Sequence, residues 1–529
     1  MTRKIMMVAA LAAALPCLAD WGRAPGGGFW NGWSPWFIHA PTFGFKAVDG
    51  ATGYRSEVMD DFHRRVTIET SKPEVSLDEI WSNLPVGYVT VTCRGVDATG
   101  AVKGEAGSRT FWKKAAYTGN YAPAAMSFGA ARYRILDSFL GLPQIRYLQE
   151  HGQVDKSYYL SGYTTKMLAA EIEAFVTSCQ TFDTDENCGL RKGIMIDLAR
   201  KAADILIAGS FPAGSVLEHF PVTYDKDGSE YGRFKDQQDW VMLVYPPQAG
   251  IAYVRLYGVT KDEKYLAAAE RIAATFLKTQ GEDGTWPLRM NARTGETMGK
   301  SRLLPFETMQ MLEELYAVTG KKAYREASDR AFAFVEKTVE PGWCWEGQFE
   351  DGRVIDDGYE NLSNFPANQM IMHILSRYPG DAKRIAQAEE IMKFVEDQFI
   401  HWVPPYDNGR HPEDVGQDDG TWKWWCHPYS SWRTPCAVEQ YICCVPVDAS
   451  AAKCIRALLA VYRATGKRIY LEKARALGAT QTQMIEDDGF ICTWTLKGVK
   501  RNDDRYHTWD NCTVEIMSAL GMLAELEGK

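Results

Sequence analysis

Four segments of the chain combine carboxylates with aromatic, histidine or arginine side chains, and each precedes or enters a stretch with helical periodicity. They are Asp407–Gln440, Gly352–Asn368, Tyr506–Asn511 and Lys235–Gln248. General acid–base chemistry needs two carboxyl groups in different states, one protonated and one ionised. The carboxylates that could supply this chemistry are Glu360, Glu439, Asp239 and Asp510. A solvated turn at Asp356–Asp357 and a helix N-cap at Asp510 are the plainer interpretations of two of these segments.

Side chains suited to ligand binding accompany these carboxylates. Flat aromatic rings can stack on a ligand, and arginine or histidine can meet an anionic group. The predicted binding residues are His427, Tyr429, Trp425, Trp432, Arg433, Tyr245, Gln248, Arg302, Asn364, His507 and Trp509. Asn364 is also expected to cap the helix that follows it. A lid packed around its own tryptophans is the alternative interpretation of the first segment.

The composition excludes some classes of function. The chain has 529 residues, a net charge of −9 and 46% hydrophobic residues. An acidic balance of this kind argues against a nucleic-acid partner, which usually meets a basic face. Neither a phosphate-cradling glycine loop nor an HExxH motif is present in the sequence, so no cofactor and no metal are predicted. A local arginine and lysine pocket for an anionic ligand remains compatible with the net charge.

The N-terminal residues resemble a secretory signal. Arg3 and Lys4 precede an apolar run, and Cys17–Ala19 offers a small-residue cleavage site. Residues 1–19 are therefore predicted to direct export, to a bacterial periplasm or beyond. No other apolar run is long enough to cross a bilayer. Residues 20–41 form a Gly/Trp/Pro-rich segment without helical or strand periodicity.

Residues 42–115 change to short alternating runs such as RRVTIET and YVTVTCRGVD, separated by turn signals. Regular short strands of this kind favour a small all-β sandwich. The stretches AVDGATGYRSEV and LPVGYVTVTCRGVDATGAVKG resemble a fibronectin type III module.

From residue 123 to residue 529 the chain is predicted to be helical and repetitive. The phrase LYGVTKDEKYL at Leu256–Leu266 returns as LYAVTGKKAY at Leu315–Tyr324 and VYRATGKRIYL at Val461–Leu471. Tyr257 and Tyr316 are 59 residues apart. A period of this size indicates stacked helical hairpins, each too small to bury its own apolar face. The fold prediction is therefore mainly α, a closed (α/α)6 toroid preceded by the β sandwich.

Twelve helices are expected in this toroid. The more charged, outer set is predicted at Ala125–Glu150, Leu190–Ala208, Asp262–Thr279, Lys321–Thr338, Ala382–Phe399 and Lys467–Ile485. The more apolar, inner set is predicted at Tyr158–Thr177, Pro246–Gly258, Pro305–Thr319, Pro366–Tyr378, Val447–Thr465 and Asp510–Leu526. Loops before the inner helices should line a funnel at one end of the ring, where helix N-termini favour negative charge.

The phrase TQGEDGTWP at Thr279–Pro287 is similar to the Q-x-x-DG-x-W motif of the six-hairpin glycosidase superfamily, and a looser copy stands at Thr482–Trp494. The segment WDNCTVEIM at Trp509–Met517 resembles the part of unsaturated glucuronyl hydrolases in which a catalytic aspartate precedes an inner helix. Members of this superfamily include unsaturated glucuronyl hydrolases, β-glucuronidases, polysaccharide lyases and sugar epimerases.

The resemblance and the funnel residues together predict an exported glycoside hydrolase that acts on an anionic, uronic-acid-containing oligosaccharide or polysaccharide. Hydrolysis would use two of the four carboxylates. A uronate-specific lyase, with a tyrosine or histidine base, is the first alternative. An epimerase with paired histidines ranks third, and a non-catalytic carbohydrate-binding protein is the alternative outside enzymes.

Overall fold

The computed structural model describes residues 28–181, 188–225, 239–349, 362–404, 432–440, 443–498 and 509–527, with side chains left out at 180–181, 188–190 and 443–445. Within these ranges the chain has an N-terminal β region and a larger helical region. None of the helices in the described ranges is both long and apolar enough to cross a bilayer.

The β region contains two sheets. Five strands form one sheet in the order β1-β7-β6-β3-β4, and β2 pairs with β5 in the other. The strands are β1 Trp36–Phe37, β2 Thr42–Gly44, β3 Gly53–Asp60, β4 Arg65–Thr70, β5 Glu74–Ser76, β6 Gly87–Val96 and β7 Val102–Lys113, with a short helix α1 at Asp78–Trp81. Phe43 of the small sheet meets Phe111 of the large one at 5.4 Å between ring centroids. The expected β region is present, whereas the likeness to a fibronectin type III module stays a prediction.

The helical region alternates between two sets of helices. The inner helices are α4 Thr164–Thr181, α6 Tyr245–Thr260, α8 Phe306–Thr319, α10 Asn364–Arg377, α12 Asp448–Thr465 and α14 Asp510–Leu526. The outer helices are α2 Phe128–Leu140, α5 Cys188–Ala208, α7 Glu263–Thr279, α9 Lys322–Phe334, α11 Ala382–Phe399 and α13 Arg468–Met484. One further helix, α3 at Pro143–His151, follows α2. Short strands lie in the connections: β8 Trp240–Met242, β9 Arg289–Asn291, β10 Ile400–His401, β11 Cys436–Gln440 and β12 Cys443–Pro446.

The inner helices close into a ring. Each packs on the next in the order α4, α6, α8, α10, α12 and α14, and α14 packs back on α4. The outer helices α5, α7, α9, α11 and α13 pack on the inner helix that precedes them, and α2 packs on α14. This arrangement confirms the (α/α)6 toroid. The expected helix Ala125–Glu150 is wrong as a single element, because it is broken where Gly141 ends α2 and Pro143 begins α3. The inner helix expected from Tyr158 begins at Thr164, and the outer helix expected to end at Thr338 ends at Phe334.

The repeated phrase joins the end of an inner helix to the start of an outer one, as expected. The residue that ends each inner helix in the phrase is left-handed, with φ of 56° at Lys261, 70° at Gly320 and 69° at Gly466. Left-handed residues of this kind cap helix C-termini. An Asp-Gly turn follows two of the outer helices, at Gly284 after α7 and at Gly489 after α13. Each turn contacts the next outer helix.

Gly284 and Gly489 explain why these turns carry glycine. Their φ values are 92° and 83°. A Cβ at Gly284 would lie 2.3 Å from the carbonyl oxygen of Arg330 in α9, and a Cβ at Gly489 would lie 2.5 Å from that of Arg134 in α2. Both the backbone angle and the close approach therefore require glycine. The Q-x-x-DG-x-W motif positions one outer helix against the next.

A buried charged cluster joins the β region to the toroid. The Asp397 carboxylate of α11 accepts from the backbone N–H of Ile38 at 2.9 Å and pairs with the His39 ring at 2.8 Å. The neighbouring Glu396 pairs with Lys473 of α13 at 2.6 Å. Burial opposes the charge on His39, but Asp397 and Glu396 outweigh it and raise its pKa. The two regions are therefore held together by paired, desolvated charges.

Candidate functional site

A cavity of about 270 Å³ lies inside the ring, and all six inner helices contribute to its wall. Its lining also includes Val244, Phe349, Glu439 and Trp494, which stand in the connections before inner helices. These connections bring the helix N-termini and their partial positive charge to the same end of the ring. The cavity thus occupies the place where the funnel is expected.

Four of the predicted site residues line this cavity. They are Glu439 among the carboxylates, and Tyr245, Gln248 and Trp509 among the binding residues. They come from β11, from the first turn of α6 and from the residue before α14. The ring therefore brings together residues that are up to 264 positions apart in the sequence, counted from Tyr245 to Trp509.

Two predicted catalytic carboxylates lie outside the described lining of the cavity. Asp239 is 37% exposed and pairs with the exposed Arg293 at 2.7 Å, beside the β8–β9 ribbon. Asp510 is fully buried at the start of α14. Its carboxylate turns away from the cavity and accepts from Gln144 Nε2, at 3.0 Å to Oδ1 and 3.2 Å to Oδ2. Neither carboxylate is brought beside Glu439.

Four predicted binding residues lie outside the described cavity lining, and three of them have structural contacts elsewhere. Arg302 pairs with Asp283 at 2.6 Å, within the Asp-Gly turn. Asn364 is buried and donates to the Val438 carbonyl at 2.7 Å, while Ser363 rather than Asn364 caps α10 by accepting from the Phe365 N–H. Trp432 is buried with its ring 5.2 Å from that of His401. Arg433 is exposed.

The remaining predicted site residues lie outside the described residues. They are Glu360, Trp425, His427, Tyr429 and His507. Their roles stay predictions.

Glu307 is a cavity carboxyl group that the sequence interpretation missed. It is the second residue of α8, directly after the Pro305–Phe306 helix start. Its Oε1 accepts from Gln248 Nε2 at 2.9 Å. Burial raises the pKa of Glu307 to about 8, with Glu515 and Glu173 adding to the rise and Gln248 and Lys453 opposing it. At neutral pH this carboxyl group therefore holds a proton.

Glu439 provides a carboxylate of the opposite character. Its Oε1 lies 2.9 Å from Lys453 Nζ of α12, and both side chains are largely buried, at 19% and 10% exposed. Burial lowers the pKa of Lys453, but Glu439 and Glu515 outweigh it and the pKa is raised. Lys453 also interacts with Glu307. The cavity wall thus holds a protonated carboxyl group and a lysine-paired carboxylate around one lysine.

Ion pairs link successive inner helices deeper in the ring. Arg255 of α6 donates to Glu173 of α4 at 2.9 Å and to Glu314 of α8 at 2.8 Å. Burial opposes the Arg255 charge, but these two carboxylates outweigh it and raise its pKa. Arg456 of α12 donates to Glu515 of α14 at 2.6 Å. Paired in this way, the charges at the floor of the cavity satisfy one another.

An aromatic platform forms part of the wall. The ring of Trp509 lies 5.4 Å from that of Tyr163, between ring centroids. Lys166 Nζ lies 4.1 Å from the centroid of the Trp509 ring. Lys166 Nζ thus lies over one face of the half-buried Trp509 ring, where it can meet an anionic substituent of a sugar that packs against the ring.

The missed residues share a signal that was present in the sequence. Glu173, Arg255, Lys453, Arg456 and Glu515 are charged residues within apolar inner helices, and all five line the cavity. A charge in a helix that is buried on every side must face a partner or a cavity. Among the described residues, no group of three or more histidine, cysteine, aspartate or glutamate side chains is arranged to hold a metal ion.

Comparisons with known proteins add likenesses of fold. No protein-family model and no curated protein sequence matches the chain. A family 76 glycoside hydrolase from a bovine Bacteroides thetaiotaomicron strain is 12% identical over 92% of this chain and 94% of its own, with a TM-score of 0.49. The cellobiose 2-epimerase of Spirochaeta thermophila is 10% identical over 76% of this chain and 99% of its own, with a TM-score of 0.48.

An unsaturated glucuronyl hydrolase specific for heparin is 12% identical over 76% of this chain and 97% of its own, with a TM-score of 0.45. A glucuronyl hydrolase and an epimerase are thus among the solved structures to which the chain is similar.

Proposed function

We propose that the protein is a glycoside hydrolase in which Glu307 donates a proton to the glycosidic oxygen and Glu439 acts as the ionised carboxylate. The observation that carries this proposal is the presence of both groups on the wall of one cavity, with Glu307 protonated at neutral pH and Glu439 paired to Lys453. Glycoside hydrolysis needs one carboxyl group in each of these states.

Glu307 meets the requirements of a general acid. Its pKa of about 8 leaves it protonated at the pH at which the bond must break. Gln248 donates to one of its oxygens at 2.9 Å, which fixes the orientation of the carboxyl group and leaves the second oxygen to carry the proton. Because α8 begins at Phe306, the group is held on a helix rather than on a mobile connection.

Glu439 meets the requirements of the partner. Its Oε1 lies 2.9 Å from Lys453 Nζ, so the two side chains form an ion pair on the cavity wall. In this state it can either stabilise the positive charge that develops on the sugar by forming a bond to it, or take a proton from an attacking water. Of the four carboxylates predicted from the sequence, Glu439 is the one that we assign to this role.

The charges of the cavity favour an anionic sugar, and we propose a uronic acid as its substrate. Cationic side chains at the described lining are Arg132, Lys166, Arg255, Lys453 and Arg456, and carboxyl side chains are Glu173, Glu307, Glu439 and Glu515. With Glu307 protonated, the cations outnumber the carboxylates. The Trp509 ring beside Lys166 offers a place for a sugar ring that bears a carboxylate.

The lyase alternative would need a base in the same cavity. Tyr245 is the tyrosine among its described lining residues, which include no histidine. The same cavity wall carries the Glu307 and Glu439 carboxyl groups, which are the pair that hydrolysis needs. The carboxyl pair is therefore the better supported catalyst. Export, predicted from residues 1–19, fits a polymeric substrate and stays a prediction.

One experiment separates these possibilities. The protein is incubated with heparin, hyaluronan, alginate and polygalacturonate, and with oligomers that already carry an unsaturated uronate, while reducing ends and ultraviolet absorbance are followed together. We expect new reducing ends without a rise in C=C absorbance. A fall in absorbance on the unsaturated oligomers would identify an unsaturated glucuronyl hydrolase. A rise in absorbance would overturn the hydrolase proposal, and binding without turnover on every substrate would indicate a binding protein.

A further inference from the structure

A second group of polar side chains is buried behind the cavity wall. Gln144 of α3, Tyr158, Glu171 of α4 and Asp510 of α14 form this group, which we call the Asp510 cluster. Asp510 accepts hydrogen bonds from Gln144 at 3.0 and 3.2 Å, and also bonds Glu171 and Tyr158. Asp510 and Glu171 are 0% and 4% exposed. Three members of the cluster line a small separate cavity of about 10 Å³.

Two carboxyl groups in contact and out of water must share a proton, because two adjacent buried charges would repel each other. Asp510 is the acceptor of this pair. It receives the hydrogen bonds of Gln144 and Tyr158 and stands at a helix N-terminus, where negative charge is favoured. Burial and the neighbouring Asp510 raise the pKa of Glu171 well above its ordinary range. Glu171 therefore keeps the proton and donates a hydrogen bond to the Asp510 carboxylate.

The cluster lies directly behind the aromatic platform. Trp509 and Asn511, the residues on either side of Asp510, both line the main cavity. The Trp509 ring rests on Tyr163 and beside Lys166, which stand just before and within the first turn of α4. The Asp510 cluster thus holds α14 against α4 on the side away from the main cavity. On the cavity side, Trp509 lies at the start of α14.

We propose that Glu171 and Asp510 are positioning residues, which hold the start of α14 against α4 so that Trp509 presents its ring to the sugar in the cavity. This inference rests on the proposed function, since it assigns the sugar contact to Trp509. It gives Asp510 a role without substrate contact, in place of the catalytic role that the sequence suggests.

Other titratable groups near the cluster are few among the described residues. Tyr159 adds to the rise in the pKa of Tyr158, and Asp155 lines the small cavity. Lys166 lies over the Trp509 ring. Burial raises the pKa of Asp510 to about 7, which governs the first ionisation of the pair, whereas the shared proton is held by Glu171, whose pKa is raised well above its ordinary range. Loss of the shared proton at higher pH leaves two buried carboxylates side by side. The platform should therefore loosen as the pH rises, and a neutral glutamine at position 171 should prevent this.

The test compares Glu171→Gln, Glu171→Ala, Trp509→Ala and the Glu171→Ala/Trp509→Ala double variant. Glutamine can still donate to Asp510, so Glu171→Gln should keep KM within about twofold and lose only the rise of KM with pH. Glu171→Ala should raise KM by about tenfold with kcat little changed, within the coupling expected of contacting residues. The double variant should be no worse than Trp509→Ala alone. Additive effects of the two substitutions on KM would overturn the proposal.

Hydrogen exchange provides a readout that needs no substrate. In Glu171→Ala the amides of residues 509–515 should exchange faster, while those of the second half of α14 stay as slow as in the unchanged protein. Glu171→Gln should exchange like the unchanged protein. Equal exchange in all variants would overturn the positioning role. If no substrate in the panel is turned over, the hydrolase proposal fails while the exchange result still decides whether Glu171 holds the start of α14.

Discussion

Replacing Glu307 by glutamine tests the assignment of the proton donor most directly. Glutamine has the same shape, and its carbonyl oxygen can still accept the hydrogen bond that Gln248 Nε2 makes at 2.9 Å. It has no proton to give to a leaving group. A positioned general acid contributes about 10²–10⁴-fold to the rate. We therefore expect kcat to fall by that factor, with a much smaller effect on KM.

The same substitution should make the protein more stable at neutral and alkaline pH. A pKa that rises from 4.5 to about 8 means that the folded state keeps a proton that the unfolded state releases. Stability is therefore lost as the pH rises from about 4.5 to about 8, by at most ~5 kcal/mol at ~1.4 kcal/mol for each tenfold change. Solvent in the cavity screens the charge and reduces this to roughly 2 kcal/mol. Glutamine removes this loss.

The assay combines kinetics and thermal unfolding across pH 5 to 9. In the unchanged protein the activity should decline above about pH 8, as Glu307 loses its proton. In Glu307→Gln the Tm should exceed that of the unchanged protein by an amount that grows from pH 5 to pH 8. The matched control is Glu326→Gln, an exposed glutamate of the outer helix α9, which should change neither quantity.

Two results would refute this reasoning. A kcat within about tenfold of the original in Glu307→Gln would remove Glu307 as the proton donor. An unchanged difference in Tm from pH 5 to pH 8 would show that the Glu307 carboxyl group is ionised in the folded protein, contrary to its burial.

Three further predictions follow from other parts of the structure. Glu439→Gln should lower kcat by about 10²-fold or more while the protein stays folded, and a kcat within tenfold would remove Glu439 from the mechanism. Gly284→Ala should destabilise the protein by more than ~1 kcal/mol in denaturant unfolding, because φ at this position is 92° and the added Cβ would collide with the Arg330 carbonyl oxygen. Gly258→Ala, within α6 and in open space, should be neutral or stabilising and serves as its control. Lys473→Met should cost about 3 kcal/mol by leaving the buried Glu396 without its lysine partner, with His39 still near it, and Glu396→Gln in the same chain should recover much of that loss.

The repeat made the ring predictable. The LYxxTG phrase marks each return from an inner to an outer helix, and Lys261, Gly320 and Gly466 adopt the left-handed conformation that such a return needs. The break of the first outer helix was also visible, in the Gly141–Pro143 stretch, but the apolar periodicity continues across it. The glycine and proline of this stretch therefore set the boundary between α2 and α3, which the apolar periodicity does not show.

The site was harder to predict because inner helices are buried on nearly all sides. Helical periodicity identifies the core-facing side only when the opposite side is solvated. Asp510 and its neighbour Asn511 are one residue apart, yet Asn511 lines the cavity and Asp510 faces Gln144. Glu307 was overlooked because an acid in the first turn of a helix usually only complements the helix dipole. The cavity itself, which depends on all six helices, gives it a different role.

The spacing of the polar pairs between inner helices has a consequence for the number of hairpins. Gln248–Glu307, Arg255–Glu314 and Arg456–Glu515 each join residues 59 positions apart, with the donor on the earlier helix and the acceptor on the later one. Such contacts are directional, like the head-to-tail contacts of subunits in a cyclic oligomer. Open solenoids can gain or lose units at modest cost.

This ring has no such freedom. An extra hairpin inserted between α6 and α8 would part Arg255 from Glu314 and Gln248 from Glu307, so the largely buried Arg255 would lose one of its two carboxylate partners. A deletion would do the same at the new junction. Side-chain pairs between neighbouring inner helices therefore fix the number of hairpins in the ring. Insertions into the connections should leave the fold intact, whereas insertion of a whole hairpin should destabilise it.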